Sequence, residues 1–436
     1  MAKTVQVGIL GFGTVGGGTA KLLLEQRELL RQRTGVDIKL SYICDRNISD
    51  SRGFSVPNEI LTTDLNQLLT DPDVDIFVEL IGGIEPARTF ILKAIQHGKH
   101  VVTANKALIS THGDEIFAEA EKYGVTVGFE ASVGGGVPVI KTLREGLAAN
   151  NFHAVMGIMN GTANYILSRM TDEGADFESV LKDAQRLGYA EADPTYDVEG
   201  IDTAHKLAIL TKLAFGVRVT PDDIYTEGIS RLSPIDIQFA AELGYTIKLL
   251  AIARSTDAGL DLRVHPTMIP TDHLLAQVKE AYNAFYLIGD AVGKVLMYGL
   301  GAGRMPTGSA VVADILDIAR AVSAGAVSSL PRLPAHSLAP LQKRPVETVS
   351  GRYYCRFSAM DRPGVLAKIA GVLAENQISI ASVVQKGRGA TESVPIVMLT
   401  HEAQEASVQQ ALAKIDAMDV MADKTVVIRM EDLSSY

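Results

Sequence analysis

Val5-Gln6-Val7-Gly8-Ile9-Leu10-Gly11-Phe12-Gly13-Thr14-Val15-Gly16 decides the fold. An apolar run, Val5 to Leu10, ends in G-x-G-x-x-G, and an amphipathic stretch from Thr14 to about Gln32 follows at once. A buried strand that turns through glycines straight into a helix is the opening of a dinucleotide-binding βαβ unit. Gly11 allows the tight turn, Gly13 lets a pyrophosphate approach the backbone, and Gly16 lets helix and strand pack closely. The helix N-terminus adds unpaired N–H groups and a positive dipole end. Gly11, Phe12, Gly13, Thr14, Val15 and Gly16 are therefore the expected cofactor loop for NAD or NADP.

Working outward, Ile38–Cys44, Ile76–Ile81, His100–Thr103 and Val125–Glu130 read as further strands separated by helical patterns. That alternation predicts a Rossmann-type parallel sheet over residues 1–130. The second strand runs into Asp45-Arg46. An acid there holds a ribose 2′-hydroxyl, whereas an arginine accepts a 2′-phosphate, so the choice between NAD and NADP stays open. Arg46 is a cofactor candidate whose alternative is a solvated surface charge.

Residues 131–299 change character. Glycines cluster at Gly134–Gly136, helical stretches such as Ile140–Ala148 and Asp202–Phe215 appear, and Phe152–Met159 and Lys248–Arg254 read as strands. This predicts a separate α+β domain. Residues 300–325 close in a small-residue helix, Ser309–Ala321, expected to return to the first domain. Four prolines between Ser328 and Pro345 predict a linker over 326–346. Residues 347–436 carry Arg352–Ala359, Val365–Asn376, Ile378–Gln385, Val394–Thr400, Glu405–Ala417 and Thr425–Met430, a βαββαβ order of ferredoxin-like type. The fold class expected is thus α/β with an α+β middle and a ferredoxin-like tail.

Composition narrows the function classes. A net charge of −10 argues against nucleic acid or an anionic membrane as partner. Cys44 and Cys355, the 2 cysteines, cannot build a disulfide framework in a chain of 436 residues, and no zinc-ligand spacing occurs. Without a signal segment or an apolar run of about 20 residues, a cytoplasmic enzyme is expected.

Three more segments carry chemistry. Val101-Val102-Thr103-Ala104-Asn105-Lys106 leaves a sheet strand and ends on a lysine near the expected cofactor crevice. Asn160-Gly161-Thr162-Ala163-Asn164-Tyr165-Ile166-Leu167 is a polar turn leading into a helix. Ala184–Lys206 reads A-Q-R-L-G-Y-A-E-A-D-P-T-Y-D-V-E-G-I-D-T-A-H-K. Together with the glycine loop, and in this order, these segments resemble the homoserine dehydrogenases over about Val5 to Ala321. The resemblance implies reversible NAD(P)H-dependent reduction of L-aspartate 4-semialdehyde to L-homoserine, in threonine, methionine and isoleucine biosynthesis.

Asp202 and Lys206 stand i,i+4 on a predicted helix and share a face; alone, such a pair reads as a surface ion pair. Glu191, Asp193 and Asp197 precede it around Pro194 and Gly200. An amino-acid substrate brings an ammonium group that needs carboxylates, and its aldehyde oxygen becomes an alkoxide needing a proton donor or a cation. By the resemblance, Lys206 is the general acid and Lys106 sits between nicotinamide and substrate. Glu191 and Asp202 bind the substrate ammonium and orient the lysines. His205 faces elsewhere and reads as structural. The family also implies a monovalent cation such as Na+ at Glu130 and the carbonyls of Val133, Gly135 and Val137, where a flexible interdomain turn is the alternative. Gly303, in the run Gly301–Thr307, is a further cofactor candidate beside a simple helix-start reading.

In the tail, Asp361-Arg362-Pro363-Gly364-Val365-Leu366 resembles the D-x-P-G-V-L turn of ACT domains, with Asn376 following in place. The resemblance implies an amino-acid effector, threonine, acting by feedback; a module that only dimerises is the alternative. A homodimer or homotetramer is expected. A thioester-forming dehydrogenase would need a cysteine nucleophile, which neither Cys44 nor Cys355 suits. A non-catalytic amino-acid and nucleotide sensor on the same fold would have no use for Lys206.

Overall fold

The computed structural model describes residues 4–48, 53–326, 340, 342–385 and 393–433. Most of the expected proline-rich linker lies outside the described residues. The chain forms two compact units. One comprises Met1–Val155, Asp202–Asp222 and Tyr282–Leu341, the other Met156–Ile201, Asp223–Ala281 and Gln342–Tyr436. The stretch 131–299, read from sequence as a single domain, is divided between them.

The first unit is built on six parallel strands, β1 (Thr4–Leu10), β2 (Asp37–Cys44), β3 (Leu61–Thr62), β4 (Val74–Glu79), β5 (His100–Thr103) and β6 (Val127–Gly128). Their spatial order is β3-β2-β1-β4-β5-β6, so the chain reverses direction of winding between β1 and β4. Ligands of open parallel sheets bind at the carboxyl ends of the strands beside such a reversal. Val5, Val7 and Ile9 of β1 are fully buried, as a strand covered on both faces requires.

The helix expected over Thr14–Gln32 is in fact α1 (Thr14–Glu25) and α2 (Arg27–Thr34), jointed at Gln26. Only Leu30 of α2 is buried, so little apolar surface holds it in line with α1, and Arg27 turns to pair with Asp37 at 2.7 Å. The strand expected at Val125–Glu130 shrinks to β6, because Phe129 leaves extended backbone and Glu130–Ser132 form a 3-10 turn. The helix expected at Ile140–Ala148 is one short turn, Val139–Lys141, opening into a π turn, Thr142–Gly146.

The helix Arg304–Ser323 packs on α1 through glycine. A Cβ on Gly18 would lie 2.0 Å from the Arg304 carbonyl oxygen, so the two backbones touch. Ala310, Val311, Ile315 and Ile318 complete the core with Val5, Val7, Ile9 and Ala20.

In the second unit, Tyr245–Thr256 and Gly259–Pro270 form an antiparallel hairpin. The tail contributes Ser350–Met360, Ile380–Gln385, Ser393–Thr400 and Val426–Met430 in the order fourth-first-third-second, with helices Val365–Glu375 and Glu405–Asp416. This is the βαββαβ layout read from the sequence. Its fourth strand also pairs in parallel with Gly259–Pro270, Thr267 opposite Arg429.

Candidate active site

Each glycine of the loop after β1 has a different neighbourhood. Gly11 has φ +102°, and a Cβ there would meet the Leu80 carbonyl at 2.7 Å. A Cβ on Gly16 would lie 2.0 Å from the Gly11 oxygen. Gly13 is exposed with nothing within 4 Å of the built Cβ, so the loop is open on that side. A backbone that must be glycine where it touches protein, and is open where a pyrophosphate would lie, fits a dinucleotide. Asp45, after β2, accepts the Phe12 N–H at 2.5 Å, while Arg46 is exposed. Gly303 is exposed with φ +129° and precedes the helix on α1.

Beside this loop, at the same end of the sheet, β4 and β5 finish in register at Glu79 and Thr103. Asn105 caps α5 (Lys106–Tyr123), accepting the Leu108 N–H at 3.1 Å. Lys106 is the first residue of that helix. Its ammonium lies 2.7 Å from Asp202 Oδ1, and Lys206 donates to Asp202 Oδ2 at 2.7 Å. One carboxylate thus bridges both lysines. Asp202 is buried, and the Lys206 side chain is 9% exposed against 36% for that of Lys106. Burial alone would raise the Asp202 carboxyl, but Lys206 and Lys106 hold it below its ordinary range.

The helix Ile201–Phe215 is fastened to α5 along its length. His205 Nδ1 shares a 2.6 Å hydrogen bond with Ser110 Oγ, and Lys212 meets Asp114 at 3.1 Å. Burial lowers the His205 pKa, in keeping with a neutral ring that packs. These pairings, with that of Asp202 to Lys106, fix where Lys206 stands.

Glu191 belongs to the second unit, where it is exposed and its carbonyl accepts the Gln185 amide at 3.1 Å. Asp193 caps Thr195 at 3.1 Å and Asp197 accepts from Asn160 Nδ2 at 2.7 Å, so these two carboxylates shape the loop itself. Thr162 donates to the Tyr189 carbonyl at 2.7 Å. The Asn160–Leu167 motif therefore carries the Glu191 loop. Lys248 is a buried residue that no sequence pattern singled out. It donates to Asn164 Oδ1 at 3.0 Å and to the Val278 carbonyl at 2.5 Å.

Around the glycines at 134–136, the Glu130 carboxylate accepts the Ile140 and Lys141 N–H groups at 2.9 and 2.7 Å. Burial pushes its pKa up to about 7. The Val137 carbonyl accepts the Val139 N–H at 2.8 Å. Val133 and Gly135 are buried, and a Cβ on Gly135 would strike the Gly301 carbonyl at 2.4 Å. Both cysteines are buried, their thiols pushed up by burial to about 11 for Cys44 and about 12 for Cys355, which suits packing and not nucleophilic attack.

Comparison with known proteins matches these features to a family. Residues 11–130 match the homoserine dehydrogenase NAD-binding domain, residues 138–316 the homoserine dehydrogenase catalytic family, and residues 353–419 the ACT domain. Homoserine dehydrogenase of Neisseria gonorrhoeae is 48% identical over 434 residues, 99% of each chain. A crystal structure of a homoserine dehydrogenase from Thiobacillus denitrificans is 50% identical and covers 99% of each chain with a TM-score of 0.93. A hyperthermophilic archaeal homoserine dehydrogenase mutant in complex with NADPH is 26% identical, with a TM-score of 0.61 over 72% of this chain and 97% of that one. With its glycine loop and its pair of lysines on one buried carboxylate, the chain belongs to the homoserine dehydrogenase family of NAD(P)-dependent oxidoreductases and carries a C-terminal ACT domain.

Proposed function

We propose that Lys206 is the proton donor in the reduction of L-aspartate 4-semialdehyde to L-homoserine, and the base that takes the alcohol proton in reverse. The observation that carries this reading is the Lys106–Asp202–Lys206 bridge, with both ammonium groups 2.7 Å from one buried carboxylate. Bound NAD(P)H supplies the hydride. The alkoxide forming on the substrate needs a proton at that moment, and a lysine held in a fixed rotamer delivers it without reorganisation. Asp202 orients both lysines and balances the positive charge near them. Lys106, at the start of α5, is half-exposed and polarises the substrate carbonyl. Glu191 binds the substrate ammonium.

The cofactor is held by Gly11, Phe12, Gly13, Thr14, Val15 and Gly16, with Lys106 and Gly303 beside it. NADP is the preferred form: Asp45 already accepts the Phe12 N–H, and Arg46 is exposed to meet a 2′-phosphate. A monovalent cation such as Na+ binds Glu130 and the carbonyls of Val133, Gly135 and Val137. Functionally, residues 1–130 with 300–325 hold the dinucleotide, 131–299 hold substrate and pair the subunits of a homodimer or homotetramer, and 347–436 bind threonine as feedback effector. The protein is assigned to the cytoplasm from its membership of this enzyme family; among the described residues no helix is long and apolar enough to cross a membrane.

The test is an absorbance assay of NADPH and NADH consumption with aspartate semialdehyde. Lys206→Ala should lower turnover by about 100-fold or more. Turnover within about two-fold of the parent would remove Lys206 from the chemistry.

A further inference from the structure

Glu79 is fully buried, yet nothing proposed for the reaction uses it. It stands at the last position of β4, beside Leu80, whose carbonyl touches the Gly11 turn. Its Oε1 accepts two successive backbone N–H groups, Ile81 at 2.9 Å and Gly82 at 3.0 Å. Its Oε2 accepts the Thr103 hydroxyl at 2.6 Å. Thr103 Oγ1, its proton committed to Glu79, accepts the Asn105 N–H at 3.0 Å. Asn105 in turn donates its side-chain amide to the Gly83 carbonyl at 2.5 Å and caps α5.

The loop after β4 and the first turn of α5 are thereby closed into one ring of hydrogen bonds. Gly82 and Gly83 both lie in left-handed backbone, at φ +71° and +73°, which curls the loop so that its N–H groups converge on Glu79. Converging backbone N–H groups make an anion-binding concavity, and here the protein fills it with its own carboxylate. Burying a carboxylate is costly unless hydrogen bonds satisfy it, and here three donors do. What the carboxylate orders is the residue next to Asn105, Lys106.

We infer that Glu79 and Thr103 are positioning residues for Lys106: they fix the start of α5, and so the place of the Lys106 ammonium, by tying it to the loop after β4. The inference rests on the proposed role of Lys106 and can fail separately from it. Glu79→Gln puts an amide donor where the ring has only donors to receive, so either the Ile81 and Gly82 N–H groups or the Thr103 hydroxyl loses its acceptor. Thr103→Val keeps the shape and removes the hydroxyl, whereas Thr103→Ser keeps it.

The experiment is a double-mutant cycle on the full-length enzyme, reading kcat and both KM values for NADPH and aspartate semialdehyde, with thermal denaturation alongside. Thr103→Val should lower kcat by about ten-fold in the parent background but by less than about two-fold in Lys106→Ala, because the two act through one group. Thr103→Ser should restore most of the parental kcat, and Glu79→Gln, where it folds, should behave as Thr103→Val does. Equal losses in both backgrounds would mean that the ring only stabilises the fold, and the inference would be overturned. An unimpaired Lys106→Ala would instead remove the role of Lys106 itself. Should Glu79→Gln fail to fold, the threonine pair still decides.

Discussion

At Gly13 and Gly16, three residues apart in one loop, an added methyl group meets opposite fates. On Gly16 it would lie 2.0 Å from the Gly11 oxygen, where only backbone movement could make room. On Gly13, at φ −74°, it would meet nothing within 4 Å. Gly16→Ala should therefore cost roughly 1–3 kcal/mol in chemical denaturation. Gly13→Ala should leave the denaturation midpoint unchanged and raise the KM for NADPH by about ten-fold, since its methyl would stand where the pyrophosphate approaches. An unaltered KM in Gly13→Ala would mean that the cofactor does not lie along this loop. Asp202 makes a second residue-scale prediction. Its pKa is depressed, so its stabilising contribution is complete above the ordinary carboxylate value and is lost as pH falls through the lower folded value. Asp202→Asn removes the buried carboxylate charge that Lys206 and Lys106 share, at a cost of about 3–5 kcal/mol near pH 7. The gap between parent and variant in urea titrations should close as pH drops below about 4. A gap that stays constant with pH would show that the carboxylate charge is not what holds the two lysines.

Between elements, the decisive contacts are those that sequence periodicity does not carry. The turn at Gly11 and the pairing of Asp202 with Lys206 were legible because each answers a local demand, a positive φ in one case and a shared helix face in the other. Glu79 was not legible, since a lone glutamate at the end of a strand is indistinguishable in sequence from a surface charge. Its three donors come from the next turn and from a neighbouring strand. The strands Gly259–Pro270, Tyr282–Gly289 and Gly293–Leu300 were obscured for a related reason. Arg263 and His265 interrupt the apolar run of the first: Arg263 is buried against Asp261 and Glu431, and His265 against Arg263 and Thr267. The joint at Gln26 and the π turn at Thr142 are tertiary outcomes too, for the local pattern continues through both. Lys248 is the element-scale test, because it holds the helix Gly161–Glu173 and the Val278 carbonyl from the strand Tyr245–Thr256. Burial lowers its pKa to about 8, so the folded protein binds fewer protons there than the unfolded chain above that pH. The sign is opposite to that of a paired lysine: stability from this site rises between about pH 8 and the unfolded value of about 10.4. Lys248→Met should lose that rise, while Asn164 Oδ1 and the Val278 carbonyl both give up the Lys248 donor, the carbonyl keeping Asn164 Nδ2 at 3.2 Å, at a cost of about 1–3 kcal/mol at pH 7. The measurement is the parent-minus-variant difference in urea midpoint from pH 7 to 10, and a flat difference would place the Lys248 proton outside the folding equilibrium.

Over the whole molecule, the tail is a structural part of the second unit and not an appendage to it. Val426–Met430 extends the sheet beside Gly259–Pro270. Arg429 pairs with Glu405 of the tail and with Glu227 at 2.7 Å, Arg356 and the Tyr354 hydroxyl both reach the buried Asp236, and Glu431 meets Arg263 at 2.8 Å. Removing residues 347–436 would strip Asp236 and Arg263 of these partners and bare a sheet edge. A truncated enzyme should therefore unfold at lower denaturant and lose activity even with no threonine present, which makes truncation a poor test of feedback. A point change in the tail separates the two effects. Arg356→Met keeps an unbranched stem but gives up both hydrogen bonds to Asp236, loosening the join while the ACT core around Phe357, Ile369 and Met398 stays intact. If threonine acts through this join, the variant should bind threonine with a dissociation constant within about three-fold of the parent, measured by calorimetry, yet show a clearly smaller loss of turnover at saturating threonine. Inhibition undiminished in a variant whose join is broken would mean that the signal leaves the tail by another route, and absence of threonine binding to the parent would remove the feedback proposal altogether.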